Sequence, residues 1–362
     1  MRWVHLWLGL VAGIFVVLMG VTGGIVALRP PMAMWLSPPA QTTNCAAVTD
    51  WNRVESEVRA YAGTPINRIY LPDAGESRTR FRTDDGDKVF RHVIYDACSD
   101  KVLGFASLGW MDWLVDLHHN LRAEKTGRTV AGYIGLVLLV SGITGFLLWL
   151  LAGARVSKLF SYRAGQSGIK TSLDLHRVFG LAAGALLVFA AFTGIWLSFP
   201  QTLRGMLAAV APFSRDERPA RGGAGKGEKA GLNELITAAQ RAIPDGRLRE
   251  IRLPEGNGSV QIRVWRPGDF RSLGNNVVYL NSAAKVTAVD LYAGKPFGNR
   301  FVQAMAGLHY GEWGGLPFRL LYAAAGFASA LLMVTGVLLY WLPRRRKSVA
   351  RPQPVPAAHS VA

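Results

Sequence analysis

The first span of the chain reads WVHLWLGLVAGIFVVLMGVTGGIVAL over residues 3–28 and contains no Asp, Glu, Lys or Arg. Three more uncharged stretches follow, at residues 129–154, 178–202 and 320–343. A hydrocarbon core of about 30 Å needs roughly 20 apolar residues in a helix, and each stretch is longer than that. The sequence therefore predicts an α-helical membrane protein with four transmembrane helices, placed at residues 3–28, 129–154, 174–202 and 316–343.

The distribution of charge predicts the orientation of these helices. The 362 residues carry a net charge of +17, but only 18% of them are charged, which argues against a nucleic-acid partner. Residues 155–173 and 344–362 contain basic side chains and no acidic ones. Short basic segments of this kind stay on the cytoplasmic side of the lipid bilayer. We therefore expect a cytoplasmic loop and a cytoplasmic tail there, with both termini cytoplasmic.

The two long connections, residues 29–128 and 203–315, read as small folded domains outside the cytoplasm. Helical periodicity at 49–62 and again at 232–242 precedes runs that alternate like β-strands. Each connection is thus predicted to be an α+β unit. Cys45 and Cys98 both lie in the first of them, where an oxidising compartment favours a disulfide between the two.

The chain is a tandem duplication of one unit made of helix, external domain and helix. When His5 is placed on His176, the offset of 171 residues also superimposes several glycines and one threonine: Gly9 on Gly180, Thr22 on Thr193 and Gly23 on Gly194. When His118 is placed on His309, Thr144 falls on Thr335 and Gly145 on Gly336. Both copies enter the membrane in the same sense, so a pseudo-twofold axis along the membrane normal should relate them.

That axis predicts two pairs of facing histidines, His5 with His176 near the cytoplasm and His118 with His309 at the external surface. Two facing imidazoles suit the axial positions of a haem iron. Gly9 and Gly180 lie four residues after His5 and His176 and leave room for a flat porphyrin beside the ligand. Because the sequence lacks Cys-x-x-Cys-His, the predicted cofactor is non-covalent haem b, one for each pair.

The residues around the external pair leave alternatives open. The adjacent His119 is not separable from His118 by sequence alone. Zinc is a second candidate for paired imidazoles, with Asp116 or Glu312 as a further ligand. Four aromatic residues accompany the pair and form either an interfacial belt or the wall of a substrate site: Trp110, Trp113, Tyr310 and Trp313.

From residue 1 to about 347 the chain resembles the PepSY-associated transmembrane family. The matching motifs are Trp3-Val4-His5-Leu6-Trp7-Leu8-Gly9, the Asp116-Leu117-His118 segment, Asp174-Leu175-His176-Arg177, and Leu308-His309 with the closing Pro343-Arg344-Arg345. The resemblance implies that the two external units are PepSY-like domains. Among family members, the chain is most similar in function to the ferric-siderophore reductases of the Gram-negative inner membrane.

This resemblance implies a haem-containing oxidoreductase that reduces ferric-siderophore iron in the periplasm. No Gly-x-Gly-x-x-Gly motif follows a strand, so the electron donor is expected to be external, either a flavin reductase or membrane quinol. The alternative is a non-enzymatic membrane protein whose PepSY units bind or regulate a partner protein.

Overall fold

The computed structural model describes residues 1–39, 48–73, 75–84, 90–106, 109–152, 167–214, 229–254 and 258–349. The first half contains α1 (Arg2–Ala27), α2 (Arg29–Trp35), α3 (Trp51–Ala62), β1 (Ile66–Tyr70), β2 (Arg78–Asp84), β3 (Phe90–Asp96), β4 (Lys101–Ala106), α4 (Gly109–Asn120) and α5 (Glu124–Leu151). The second half contains α6 (Gly168–Ala182), α7 (Gly184–Ser198), α8 (Pro200–Ala208), α9 (Leu232–Ala242), β5 (Arg247–Arg252), β6 (Val260–Trp265), β7 (Asn276–Leu280), β8 (Val286–Asp290), α10 (Phe297–His309) and α11 (Gly315–Val349).

Two compact units make up the chain. Unit one comprises Met1–Val21, Ile134–Ala191 and Ala324–Ala362, and unit two comprises Thr22–Tyr133 and Phe192–Ala323. The predicted pair His5 and His176 therefore falls in unit one, while His118 and His309 fall in unit two. Each unit is described by itself below.

Among the described residues, three helices are long and apolar enough to cross a membrane: Arg2–Ala27, Glu124–Leu151 and Gly315–Leu342. The third predicted span, at residues 174–202, is divided in the structure into two helices. It consists of α6 and α7, which meet at an angle of 50°. The bend coincides with Gly184, a residue type that weakens helices and commonly accompanies kinks. In addition, α6 begins at Gly168, inside the segment predicted as a loop.

The external segments share one antiparallel sheet of eight strands, in the order β4-β3-β2-β1-β5-β6-β7-β8. The sequence predicted two separate α+β units, and each half does supply four strands and one helix that covers them, α3 or α9. The halves join where β1 pairs with β5, with Ile69 opposite Ile251. Alone, each half would leave one of these strands as an unpaired edge, and the pairing covers both edges at once.

One hydrophobic core beneath this sheet serves both halves. Helices α3 and α9 cover the sheet face, and the core between them contains Val54, Leu235, Ile69 and Ile251. The helix N-termini are linked reciprocally: Trp51 N donates to Asn233 Oδ1 at 2.7 Å, and Asn233 N donates to Asn52 Oδ1 at 3.0 Å. The duplicated halves therefore fold together as one domain, with a layer of two helices packed on one face of a single sheet.

Helices α4 and α10 carry the external histidines, as the last turn of each helix holds His118 or His309. Helix α4 is attached to the opposite sheet face through Asp112. His92 of β3 donates Nε2–H to Asp112 Oδ2 at 2.9 Å, and Arg29, just after α1, forms an ion pair with the same carboxylate. These contacts fix the direction of the helix that presents His118.

Candidate cofactor site

His5 and His176 face each other within unit one. Their ring centres are 6.2 Å apart, and the ring planes are inclined at 80°. Nδ1 of His5 donates to the backbone carbonyl of Ser141 at 3.0 Å. Because a carbonyl oxygen only accepts, Nδ1 carries the proton and Nε2 holds the lone pair of the neutral imidazole. This tautomer is the one that can bind a metal through Nε2.

Threonine hydroxyls enforce the same tautomer in this pair. Nδ1 of His176 lies 2.9 Å from Thr335 Oγ1, which donates its own proton to Leu331 O at 2.8 Å. With its hydrogen committed to the backbone, the hydroxyl accepts from Nδ1–H. Thr144 occupies the equivalent place beside His5, with Oγ1 3.5 Å from Nδ1.

His118 and His309 form the second pair, within unit two. Their ring centres are also 6.2 Å apart, with the planes inclined at 26°. Nδ1 of His118 lies 3.1 Å from Thr22 Oγ1, and Nδ1 of His309 lies 3.0 Å from Thr193 Oγ1. All four histidines are thus held at Nδ1, and in each case a threonine on another helix lies beside that nitrogen.

The residue after each of these threonines is a glycine, and the absence of its side chain makes room for the ring. A Cβ on Gly23 would lie 2.7 Å from Cε1 of His118, and one on Gly145 would lie 2.9 Å from Cε1 of His5. The corresponding distances are 3.1 Å from Gly194 to His309 and 3.6 Å from Gly336 to His176. Each histidine therefore docks on a Thr-Gly step of a neighbouring helix.

The family model described as the PepSY-associated TM region matches residues 2–344. The chain belongs to this family. It is a multi-pass membrane protein, and the match includes both copies of the duplicated unit with all four paired histidines. No match to the chain was found among curated proteins.

In this family member, His118 rather than His119 faces His309. His119 stacks on Tyr310, with ring centres 6.3 Å apart. Burial, reinforced by the charges of Arg128 and Arg29, lowers the pKa of His119 to about 4. His119 is therefore neutral at physiological pH and borders the pair.

The predicted aromatic wall divides into two groups. Tyr310 contacts both His119 and His309, the latter with ring centres 5.8 Å apart, and burial raises the pKa of its phenol. Trp110, Trp113 and Trp313 are each about half exposed. Trp313 packs on Phe318, with ring centres 4.3 Å apart. Tyr310 is thus the member of the set that touches the histidines.

The two glycines predicted to border the cofactor lie in open or loosely packed surroundings. A Cβ on Gly9 would meet nothing within 4 Å, and one on Gly180 would meet only Leu332 Cδ2, at 3.6 Å. Space therefore remains beside Gly9 and Gly180, on the helix faces that carry His5 and His176.

The acidic residues considered for zinc point to other partners. Asp116 accepts from Asn120 and Arg122 at 2.8 Å, and Glu312 accepts from Ser272 N at 2.9 Å. In the part of the chain that the structure describes, no group of three His, Cys, Asp or Glu could hold a metal ion. Among the described residues, the candidate metal ligands are therefore the two pairs of imidazoles.

Cys98 is disulfide-bonded. Its predicted partner, Cys45, lies outside the described residues.

Proposed function

We propose that the protein is a haem-containing oxidoreductase of the bacterial inner membrane that passes electrons across the membrane to ferric-siderophore iron in the periplasm. The observation that supports this function is the repeated spacing of 6.2 Å between facing histidine rings in two symmetric pairs. Within the PepSY-associated family, such pairs suit a redox cofactor, whereas a purely partner-binding protein has no need of them.

The spacing fits two imidazoles on one iron. Taking the zinc–imidazole bond as a guide, a metal–nitrogen bond is about 2.0–2.1 Å. A five-membered ring with bonds of about 1.33 Å has its atoms about 1.1 Å from its centre. Two axial imidazoles would then have ring centres about 6.3 Å apart. Both pairs match this value. A direct hydrogen bond between two imidazoles would not require the same spacing to recur in both pairs.

The protein's own groups prepare the histidines for this role. His5 and His176 would hold one haem, and His118 and His309 the other. The contacts at Nδ1 orient each imidazole and leave Nε2 for a metal, as hydrogen bonds to metal-bound histidines generally do. Bound haem, held by the two histidines of each pair, would supply one-electron transfer.

The proposed reaction takes one electron per iron and converts Fe(III) in a siderophore to Fe(II). The reductant is an external donor, either a cytoplasmic flavin reductase or membrane quinol. Reduction weakens the complex because Fe(II) is a poorer match than Fe(III) for hard oxygen donors. Tyr310 and the half-exposed Trp110, Trp113 and Trp313 would border the docked chelate at the external pair.

A reduced-minus-oxidised visible spectrum of the purified protein tests the proposal. We expect the sharp bands of low-spin haem b and about two haems per chain. His5→Ala and His176→Ala should each remove one haem and leave the other. His359→Ala serves as a control because His359 belongs to the C-terminal segment after residue 344, outside both pairs. A featureless spectrum would contradict the proposal and leave the non-enzymatic, partner-binding alternative.

A further inference from the structure

A row of arginines crosses the sheet on the face opposite α3 and α9. In register, Arg82 lies opposite Arg68 across β2 and β1, and Arg68 lies opposite Arg252 across β1 and β5. Gln261 of β6 extends the row beyond Arg252. The alternate residues Phe81, Ile69 and Ile251 are fully buried in the core. Because side chains alternate along a strand, the three guanidinium groups share the other face.

This row concentrates positive charge around one fully buried carboxylate, that of Glu250. Like charges directly opposite each other destabilise a sheet. Among the described residues, the carboxylate of the fully buried Glu250 serves as counter-charge, 3.3 Å from Arg68 and 2.9 Å from Arg252. The same carboxylate also lies 3.1 Å from Arg263. One negative charge is thus shared by three arginines.

Arg82, at the end of the row, has a neutral partner. Its Nε donates to Asn67 Oδ1 at 2.9 Å. Burial and then the charge of Arg68 lower the pKa of Arg82, against the opposing charges of Asp112 and Glu250. An anion placed here would relieve the repulsion along the row.

The row opens onto a cavity of about 390 Å³. This size lies within the range of small-molecule sites, roughly 300–1,000 Å³. Arg68 and Arg252 are 25% and 31% exposed, so a ligand can reach their guanidinium groups. The other polar lining groups are amides and a hydroxyl, from Asn67, Gln261 and Ser259.

We propose that this cavity binds an anion that presents two or more carboxylate or phosphate oxygens. Guanidinium groups bind such oxygens in bidentate fashion, and adjacent strands hold Arg82, Arg68 and Arg252 side by side. Asn67, Ser259 and Gln261 supply neutral hydrogen-bonding groups at the rim. The site uses none of the four paired histidines, so it stands independently of the haem proposal.

Isothermal titration calorimetry on the full chain in a neutral detergent tests this site. The probes are citrate and pyrophosphate for soluble anions and dihexanoyl phosphatidic acid for a lipid headgroup. We expect saturable binding that weakens about tenfold or more in Arg68→Gln and in Arg252→Gln, because each removes a charge-assisted contact. Arg247→Gln is the matched control, since Arg247 is an exposed arginine of β5 outside the cavity.

The probes separate the two sources of the anion. Binding of citrate or pyrophosphate that requires Arg68 and Arg252 supports a soluble ligand, and binding of phosphatidic acid alone with the same requirement supports a lipid. Glu250→Gln should instead tighten binding, because it removes the competing carboxylate. Thermal unfolding of each variant confirms that it is folded. If no probe binds, or if folded Arg68→Gln and Arg252→Gln variants bind as tightly as the unchanged protein, the proposal is overturned.

Discussion

The threonine hydroxyl beside each histidine is the smallest feature on which the site depends. Thr335→Val keeps the volume but removes the acceptor for Nδ1–H of His176, which lies 2.9 Å away. Loss of such a supporting contact typically costs about 10–100-fold in metal affinity. We expect the haem content to fall from about two toward one per chain, measured as haem per protein after gel filtration. Thr335→Ser retains the hydroxyl and should keep both haems; equal haem content in the Val and Ser variants would contradict this role.

Glycine at the next position is required for a steric reason. In a helix interior, Gly→Ala normally stabilises by about 1 kcal/mol. At Gly23, however, the new methyl group would lie 2.7 Å from Cε1 of His118 and would displace the ring. We therefore expect Gly23→Ala to lose the haem of the external pair, measured by its absorbance. Gly205→Ala is the control, because a Cβ there meets nothing within 4 Å; retention of both haems in Gly23→Ala would show that the ring can move without loss.

The sequence predicted the four paired histidines but not the threonines that contact their Nδ1 atoms. The duplication placed Thr22 on Thr193 and Thr144 on Thr335, so the signal was present in the repeat register. What the register could not provide was the partner of each threonine, because Thr335 supports His176, 159 residues earlier in the chain. Such a contact arises from packing between helices and leaves no local pattern in the sequence.

At the scale of elements, α4 is held to the sheet by the contact between His92 and Asp112, and the burial of His92 in this contact should make stability depend on pH. Burial lowers the pKa of His92, opposed by the hydrogen bond to Asp112 and reinforced by the charges of Arg80 and Arg29. In the unfolded chain the histidine takes up a proton near pH 6.5, whereas the folded protein resists protonation. Stability is therefore fully present above that pH and falls as the pH is lowered.

The expected result is a lower midpoint of thermal unfolding at pH 5.5 than at pH 7. His92→Gln can still donate to Asp112 but does not titrate, so its midpoint should fall less over the same range. An identical decrease in both proteins would assign the pH dependence to other groups.

The helices and strands were predictable where periodicity was strong. The sequence located α9 at Leu232–Ala242, as the structure has it. It gave no sign of the outer strands β4 and β8, whose half-exposed residues alternate weakly. The bend between α6 and α7 was also missed, because hydropathy reports the length of an apolar segment and not its straightness.

At the scale of the whole molecule, the shared sheet constrains how often the chain crosses the membrane. Strands β1 and β5 pair directly, so the two connections that contain them lie in the same compartment. Between them in sequence stands α5, a 28-residue apolar helix, followed by the bent pair α6 and α7. If α5 crosses the bilayer, the bent pair must cross back. Because disulfides form in oxidising compartments, the disulfide at Cys98 leads us to expect that the shared compartment is the oxidising one.

Four crossings would place both termini on the side of the membrane opposite the sheet, whereas three would place the termini on opposite sides. We therefore expect green fluorescent protein fused after residue 362 to fluoresce, and alkaline phosphatase fused there to be inactive. Phosphatase fused after residue 214, beyond α8, should be active, because that point belongs to the connection that enters the sheet. Activity of the phosphatase at both positions would mean that α11 does not cross, whereas an inactive fusion at residue 214 would mean that the bent pair does not cross. Since β1 and β5 pair across the junction of the two halves, an inactive fusion at residue 214 would contradict the sheet as well as the topology.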